Sequence, residues 1–171
     1  MAVGRLNILA KVYLDTSVII ALTNLRDHFY NTSTKFMQDL RELDIACTVG
    51  PPILLEIGKA VQRKGVESGL TIIRAIDKYE IDLAELDSDR LLKLANQYFA
   101  HRVAGTKYSV DLMHYASATL LNCSHLASWD KEHFNQRIEN KINKVNSATG
   151  LTSLKVGDPV HIARSLEFGQ E

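Results

Sequence analysis

The strongest constraint on this chain is an alternation. Five short apolar or β-branched runs are separated by longer segments carrying the 3.6-residue period of helices. Strands joined through helix-length crossovers pair in parallel, so the pattern predicts an α/β fold around a mostly parallel sheet of four to five strands. The runs are Lys11–Leu14, Ile45–Val49, Ile81–Leu83, His125–Ser128 and Leu154–Val156, the last read as an edge strand. Helices are expected over about 18–24 and 28–43. Pro51 and Pro52 then open another that ends near Lys64 at Gly65, since proline suits a first helical turn. Further helices are expected to about Lys78, across the Leu91–Phe99 apolar stripe, from Ser109 to Leu121, over about 131–142, and from Pro159 to Leu166. The polar stretch Asn143–Gly150 reads as a loop. At 171 residues, with no internal repeat, the chain is expected to form one domain over 1–171, with a tail at 161–171.

Charge and cysteine content narrow the class. Twenty Lys and Arg balance twenty Asp and Glu, so the bulk field does not steer the protein toward polyanions, and taken alone this argues against a nucleic-acid partner. No run approaches the ~20 apolar residues of a membrane helix, and the first residues lack a signal-peptide core. A cytoplasmic protein is expected, with Cys47 and Cys123 as buried thiols in a reducing compartment.

Four acids stand out. Asp15 and Asp130 directly follow strand-like runs, which puts both at the carboxyl edge of a parallel sheet, where α/β folds place their sites. Glu56 lies among Ile53, Leu54, Leu55 and Ile57, in a helix that reads as apolar on nearly every side, and a buried carboxylate there needs a partner. Asp111 opens a helix rich in small alanines. Individually, Asp15 and Asp130 serve as helix caps and Asp111 as a first-turn acid, but capping does not account for the set. Carboxylates gathered at one edge make a hard-oxygen site suited to Mg²⁺ or Mn²⁺, whereas the paired His and Cys spacings of zinc sites are absent. Phosphodiester hydrolysis is the chemistry that needs such a site. A bound metal also cancels the cluster's repulsion of phosphate, which answers the charge objection in part.

The residues around these acids resemble a known family. Val12 to Ile20, with Asp15 followed by Thr16 and Ser17, is similar to the opening motif of PIN-domain nucleases. Leu55-Glu56-Ile57 matches the family's Glu, Asp111-x-x-His114-x-Ala116-x-Ala118 its third motif, and Ser128-x-Asp130-x-x-x-Phe134 its fourth, with one extra residue before the aromatic. The acids follow one another at intervals of 41, 55 and 19 positions, in the family's order, and the likeness spans about residues 11–160. The resemblance implies a PIN-like three-layer α/β/α fold and a Mg²⁺- or Mn²⁺-dependent endoribonuclease. Asp15, Glu56 and Asp111 would bind the metal, Asp130 would complete the site directly or through water, and the Ser17 or Ser128 hydroxyl would orient a carboxylate or water. Single-domain members are commonly VapC-like toxins, held inactive by an antitoxin protein and usually homodimeric. A housekeeping RNA-processing nuclease and a catalytically silent RNA- or protein-binding scaffold are the alternatives.

Other residues carry less. Lys59, Arg63 and Lys64 are candidate contacts to an RNA backbone, with a solvated helix face as the competing reading, and Lys107, Arg102, Lys131 and Arg137 read the same way. Trp129 either stacks a base or packs. His114 lies one turn beyond Asp111 on the same helix face, where it either touches the site or, as the favoured reading, is a satisfied core histidine; His133 and His101 read as surface residues, and the acidic stretch from Asp77 to Asp89 as solvated surface. Haloacid-dehalogenase phosphatases and DEDD exonucleases need an acid two positions after the first Asp, where this chain has Ser17. A response-regulator receiver needs an acidic pair on the first strand.

Overall fold

The computed structural model describes residues 10–104 and 109–168. In chain order the elements are β1 (Lys11–Leu14), α1 (Thr16–Thr23), α2 (Tyr30–Glu42), β2 (Ala46–Val49), α3 (Pro52–Lys64), α4 (Val66–Lys78), β3 (Asp82–Leu83), α5 (Ser88–Ala100), α6 (Ser109–Leu120), β4 (His125–Ala127), α7 (Gln136–Ala148), β5 (Lys155–Gly157) and α8 (Pro159–Phe168). The strands lie in the order β3-β2-β1-β4-β5 and every ladder is parallel. Successive side chains on a strand point to opposite faces. On β1, Val12 and Leu14 therefore join one core with Ile19, Phe36, Ile76 and Ile162, while Tyr13 joins a second with Tyr98, Tyr115 and Ile142. Helices α1, α2, α4 and α8 cover the first face and α5, α6 and α7 the second, which makes the three-layer α/β/α arrangement. Among the described residues, no helix is long and apolar enough to cross a membrane.

Two segments depart from expectation. The helix expected from Lys131 starts at Gln136, because Asn135 is the residue that caps it, its side chain accepting from the Arg137 and Ile138 N–H groups at 3.1 and 3.2 Å. The same helix then runs on to Ala148, through most of the stretch read as a loop. Two of its amides face inward: Asn143 donates to the Leu154 carbonyl at 3.0 Å and accepts from the Leu154 N–H at 2.8 Å. Asn146 is fully buried, accepting from the Tyr98 hydroxyl at 2.6 Å and donating to the Thr152 carbonyl at 2.9 Å. Buried amides bonded in this way pin α7 to the approach of β5.

One glycine is required by close approach. At the end of β2, a Cβ on Gly50 would meet the Ser117 Cβ of α6 at 2.9 Å, and the bare backbone instead brings the Gly50 N–H to the Tyr13 hydroxyl at 3.1 Å. Cys123 is buried and Cys47 only partly so; both are free, and burial pushes each thiol up to about 12.

Candidate active site

The strand order fixes where a site belongs. From β1 the chain moves to one side through β2 and β3, then returns to the other side of β1 with β4 and β5. The crevice at the carboxyl ends of β1 and β4 is a topological switch point, the place where parallel sheets bind ligands. Asp15 leaves β1 there and Ser128 leaves β4, and the two turns are tied by the Asp15 N–H donating to the Ala127 carbonyl at 3.0 Å.

Asp15 is buried and held through one oxygen. Its Oδ2 accepts from the Ser17 hydroxyl at 2.6 Å, the Ser128 hydroxyl at 2.8 Å and the Ser17 N–H at 3.2 Å. The last of these makes Asp15 the N-cap of α1, so the capping role and the site position coexist. The two hydroxyls are themselves anchored: the Trp129 N–H donates to Ser17 Oγ at 3.0 Å and the Asp130 N–H to Ser128 Oγ at 3.1 Å. The other oxygen, Oδ1, faces the His114 ring, 3.7 Å from Nε2.

Glu56 is placed differently from the sequence reading. Leu54 and Leu55 are exposed, 56% and 49%, because the face of α3 turned inward is the one that carries Ile53, Ile57 and Ala60, at intervals of four and three. Glu56 itself is half-buried, accepting from Thr16 Oγ1 and from His114 Nε2 at 3.0 Å. Burial works to raise its pKa, but the His114 and Thr16 bonds outweigh it and hold the carboxyl below its ordinary range.

His114 is the residue whose part in the site the sequence underrates. It is a buried core histidine, fully enclosed, yet both ring nitrogens serve the site: Nε2 bonds Glu56 and Nδ1 pairs with the Tyr13 hydroxyl at 2.9 Å. Burial disfavours its charge, but the Glu56 bond and the carboxylates of Asp15 and Asp111 prevail and raise its pKa. Ligand atoms of Asp15, Glu56 and His114 all lie within 4.8 Å of one another.

Asp111 and Asp130 meet through a second histidine. His133, read as a surface residue, is instead partly buried, with Nδ1 2.8 Å from Asp130 Oδ2 and 3.6 Å from Asp111 Oδ2. Rather than capping a helix, Asp130 holds a turn, its Oδ1 accepting from the Glu132 and His133 N–H groups at 3.0 and 3.2 Å. Burial, with the charges of Asp15 and Asp130, pushes the Asp111 carboxyl up to about 6 against the opposing pull of His133 and His114. Both histidines stand three positions after an acid, Asp111-x-x-His114 and Asp130-x-x-His133, and that spacing is the one sequence signal that points to them.

No Lys or Arg among the described residues makes an ion pair with any of the four acids; their only such partners are the two imidazoles. Lys59 acts on Glu56 through its charge, and Lys59, Arg63 and Lys64 line a groove of about 380 Å³ that contains Thr16 and Glu56. Trp129 packs: its ring stacks on Phe29 with centroids 4.1 Å apart and 12° between planes, and its Nε1 donates to Ser33 at 2.8 Å. Phe134 is buried edge-on against Tyr115 despite the extra residue before it. His101 is exposed, as are the acids from Asp77 to Asp89. Lys107 lies outside the described residues.

A parallel sheet with acids gathered at its switch point defines the class. Residues 12–139 match the family model of the PIN domain, and the chain belongs to that family. Its fold is shared with the crystal structure of Mycobacterium tuberculosis VapC20, described as a sarcin-ricin loop cleaving toxin: the TM-score is 0.52 and the identity 16%, over 83% of this chain and 97% of that one. No curated protein matches the sequence.

Proposed function

We propose that the protein is a metal-dependent endoribonuclease that hydrolyses RNA phosphodiester bonds at this crevice. The observation that carries the reading is the acid cluster at the switch point, which no Lys or Arg neutralises among the described residues. An anion cluster kept in this state fits a divalent cation, and the donor chemistry agrees: Asp15, Glu56 and Asp111 would hold the ion, with Asp130 completing the site directly or through water. When bound, such an ion lowers the pKa of a coordinated water and offsets the negative charge of the phosphate. The chain's own residues prepare the place. Ser17 and Ser128 fix one oxygen of Asp15 and leave the other toward the cluster. Tyr13, through His114, sets the position of Glu56. Lys59, Arg63 and Lys64 take the RNA backbone. The test is cleavage of single-stranded RNA that chelation abolishes and Mn²⁺ or Mg²⁺ restores; binding without cutting under all these conditions supports the scaffold reading instead.

The Asp111 carboxyl gives this reading a pH dependence. An acid whose pKa is raised to about 6 keeps its proton to higher pH than usual, so below about pH 6 the proton competes with the cation. Calorimetric titration of the metal-free protein with Mn²⁺ should show affinity falling on acidification below that point, by up to roughly tenfold per pH unit for one displaced proton. Equal affinity at pH 5 and pH 7 would remove Asp111 from the binding set.

The shared fold with VapC20 supports a toxin role in a toxin–antitoxin pair. Ile20, Leu54, Leu55 and Ile73 are exposed on the packed helices α1, α3 and α4 and support a homodimer or a bound antitoxin. Expression is expected to arrest growth, and the Asp111→Asn form is expected not to; harmless expression of a protein that cleaves RNA in vitro would set the toxin role aside.

A further inference from the structure

A second groove adjoins the acid cluster at its other histidine. It has a volume of about 640 Å³, lies between the end of α5 and α7, and includes in its lining His133, the residue bonded to Asp130 and 3.6 Å from Asp111. Arg102, Arg137 and Lys141 line it, against a single lining carboxylate among the described residues, Glu132. Lys141 is committed to the backbone, its Nζ donating to the Arg102 carbonyl at 2.6 Å. The Arg102 and Arg137 side chains are exposed and make no hydrogen bond or ion pair among the described residues. Phe99, 44% exposed, completes the lining. An exposed aromatic ring among uncommitted cations is the combination that single-stranded nucleic acid uses, with cations on the phosphates and a ring under a base. In a chain of zero net charge, such attraction has to be local.

We propose that this groove binds a single-stranded RNA segment flanking the scissile phosphate, with Arg102 and Arg137 on backbone phosphates and Phe99 stacked on a base. The assignment rests on the ribonuclease reading and gives that enzyme a second substrate arm, apart from the Lys59–Lys64 groove beside Glu56. The strand would pass His133 on its way to the acids, so the groove serves to align the chain and not to cut it.

The test is the binding of a short labelled single-stranded RNA to the intact protein in EDTA, followed by fluorescence anisotropy across a salt series. Joint Arg102→Gln and Arg137→Gln substitution should lower the slope of log affinity against log salt by about 1.4, at ~0.7 per lost phosphate contact. Phe99→Leu should leave the slope alone and weaken binding at least roughly fivefold. Joint Arg41→Gln and Lys78→Gln substitution, which removes the same charge from a separate cavity beside β2, should change neither. Equal loss from both cation pairs, or unchanged binding by the groove variants of a protein that still cleaves RNA with Mn²⁺, overturns the groove and leaves the ribonuclease reading standing. A parent protein that neither cleaves nor binds the RNA overturns both.

Discussion

The Asp15→Asn protein is expected to fold and melt like its parent, yet to cleave RNA about 10³-fold more slowly with Mg²⁺ or Mn²⁺. Its fold should survive because Asn keeps the side-chain oxygen that accepts from Ser17 and Ser128 and remains a preferred N-cap for α1. Its activity should not, because the amide carries no charge to hold a cation, and several kcal/mol of electrostatic stabilisation correspond to about three orders of magnitude in rate. The measurement pairs a thermal melt with single-turnover cleavage. Parent-like cleavage by a correctly folded Asp15→Asn protein would sink the metal-site assignment.

The second large effect falls on stability. His114→Ala removes a fully buried ring and both of its bonds, leaving the Tyr13 hydroxyl and the Glu56 carboxylate without their partner. Cavity and desolvation costs together should amount to about 3–5 kcal/mol, a fall in Tm on the order of 10 °C for a chain of this size. His114→Gln retains an N–H donor toward Glu56 and should recover part of the loss. A His114→Ala protein destabilised by less than about 1 kcal/mol would show that the Tyr13–His114–Glu56 chain is incidental to the fold.

Much of the architecture is legible from alternation alone. The five β-branched runs become the five parallel strands, and Pro51, Pro52 and Gly65 bracket α3 as their backbone preferences dictate. What pattern reading misses is polar residues turned inward. Asn143 and Asn146 read as loop because hydropathy registers an amide, not the carbonyls of Leu154 and Thr152 that receive it. The site divides in the same way. Asp15 and Ser128 are legible because strand ends are, and Asp130 follows two residues later. His114 takes its meaning from Tyr13 and Glu56, 101 and 58 positions away, and His133 bridges Asp111 and Asp130 across two elements. Glu56 is singled out by its apolar neighbours, although Leu54 and Leu55 then face solvent.

The seating of β4 beside β1 also orders the protein's birth on the ribosome. β1, β2 and β3 with the helices between them occupy the first half of the chain and can pair as they emerge, but β4 enters only after residue 125. Until it docks, the Asp15 loop has no Ser128 to close it, and Asp111 and Asp130 have nowhere to converge. The crevice is thus the last part of the sheet's centre to be assembled, and a nascent or truncated chain lacking that strand holds three of its four acids, Asp15, Glu56 and Asp111, without the strand that closes the crevice around them.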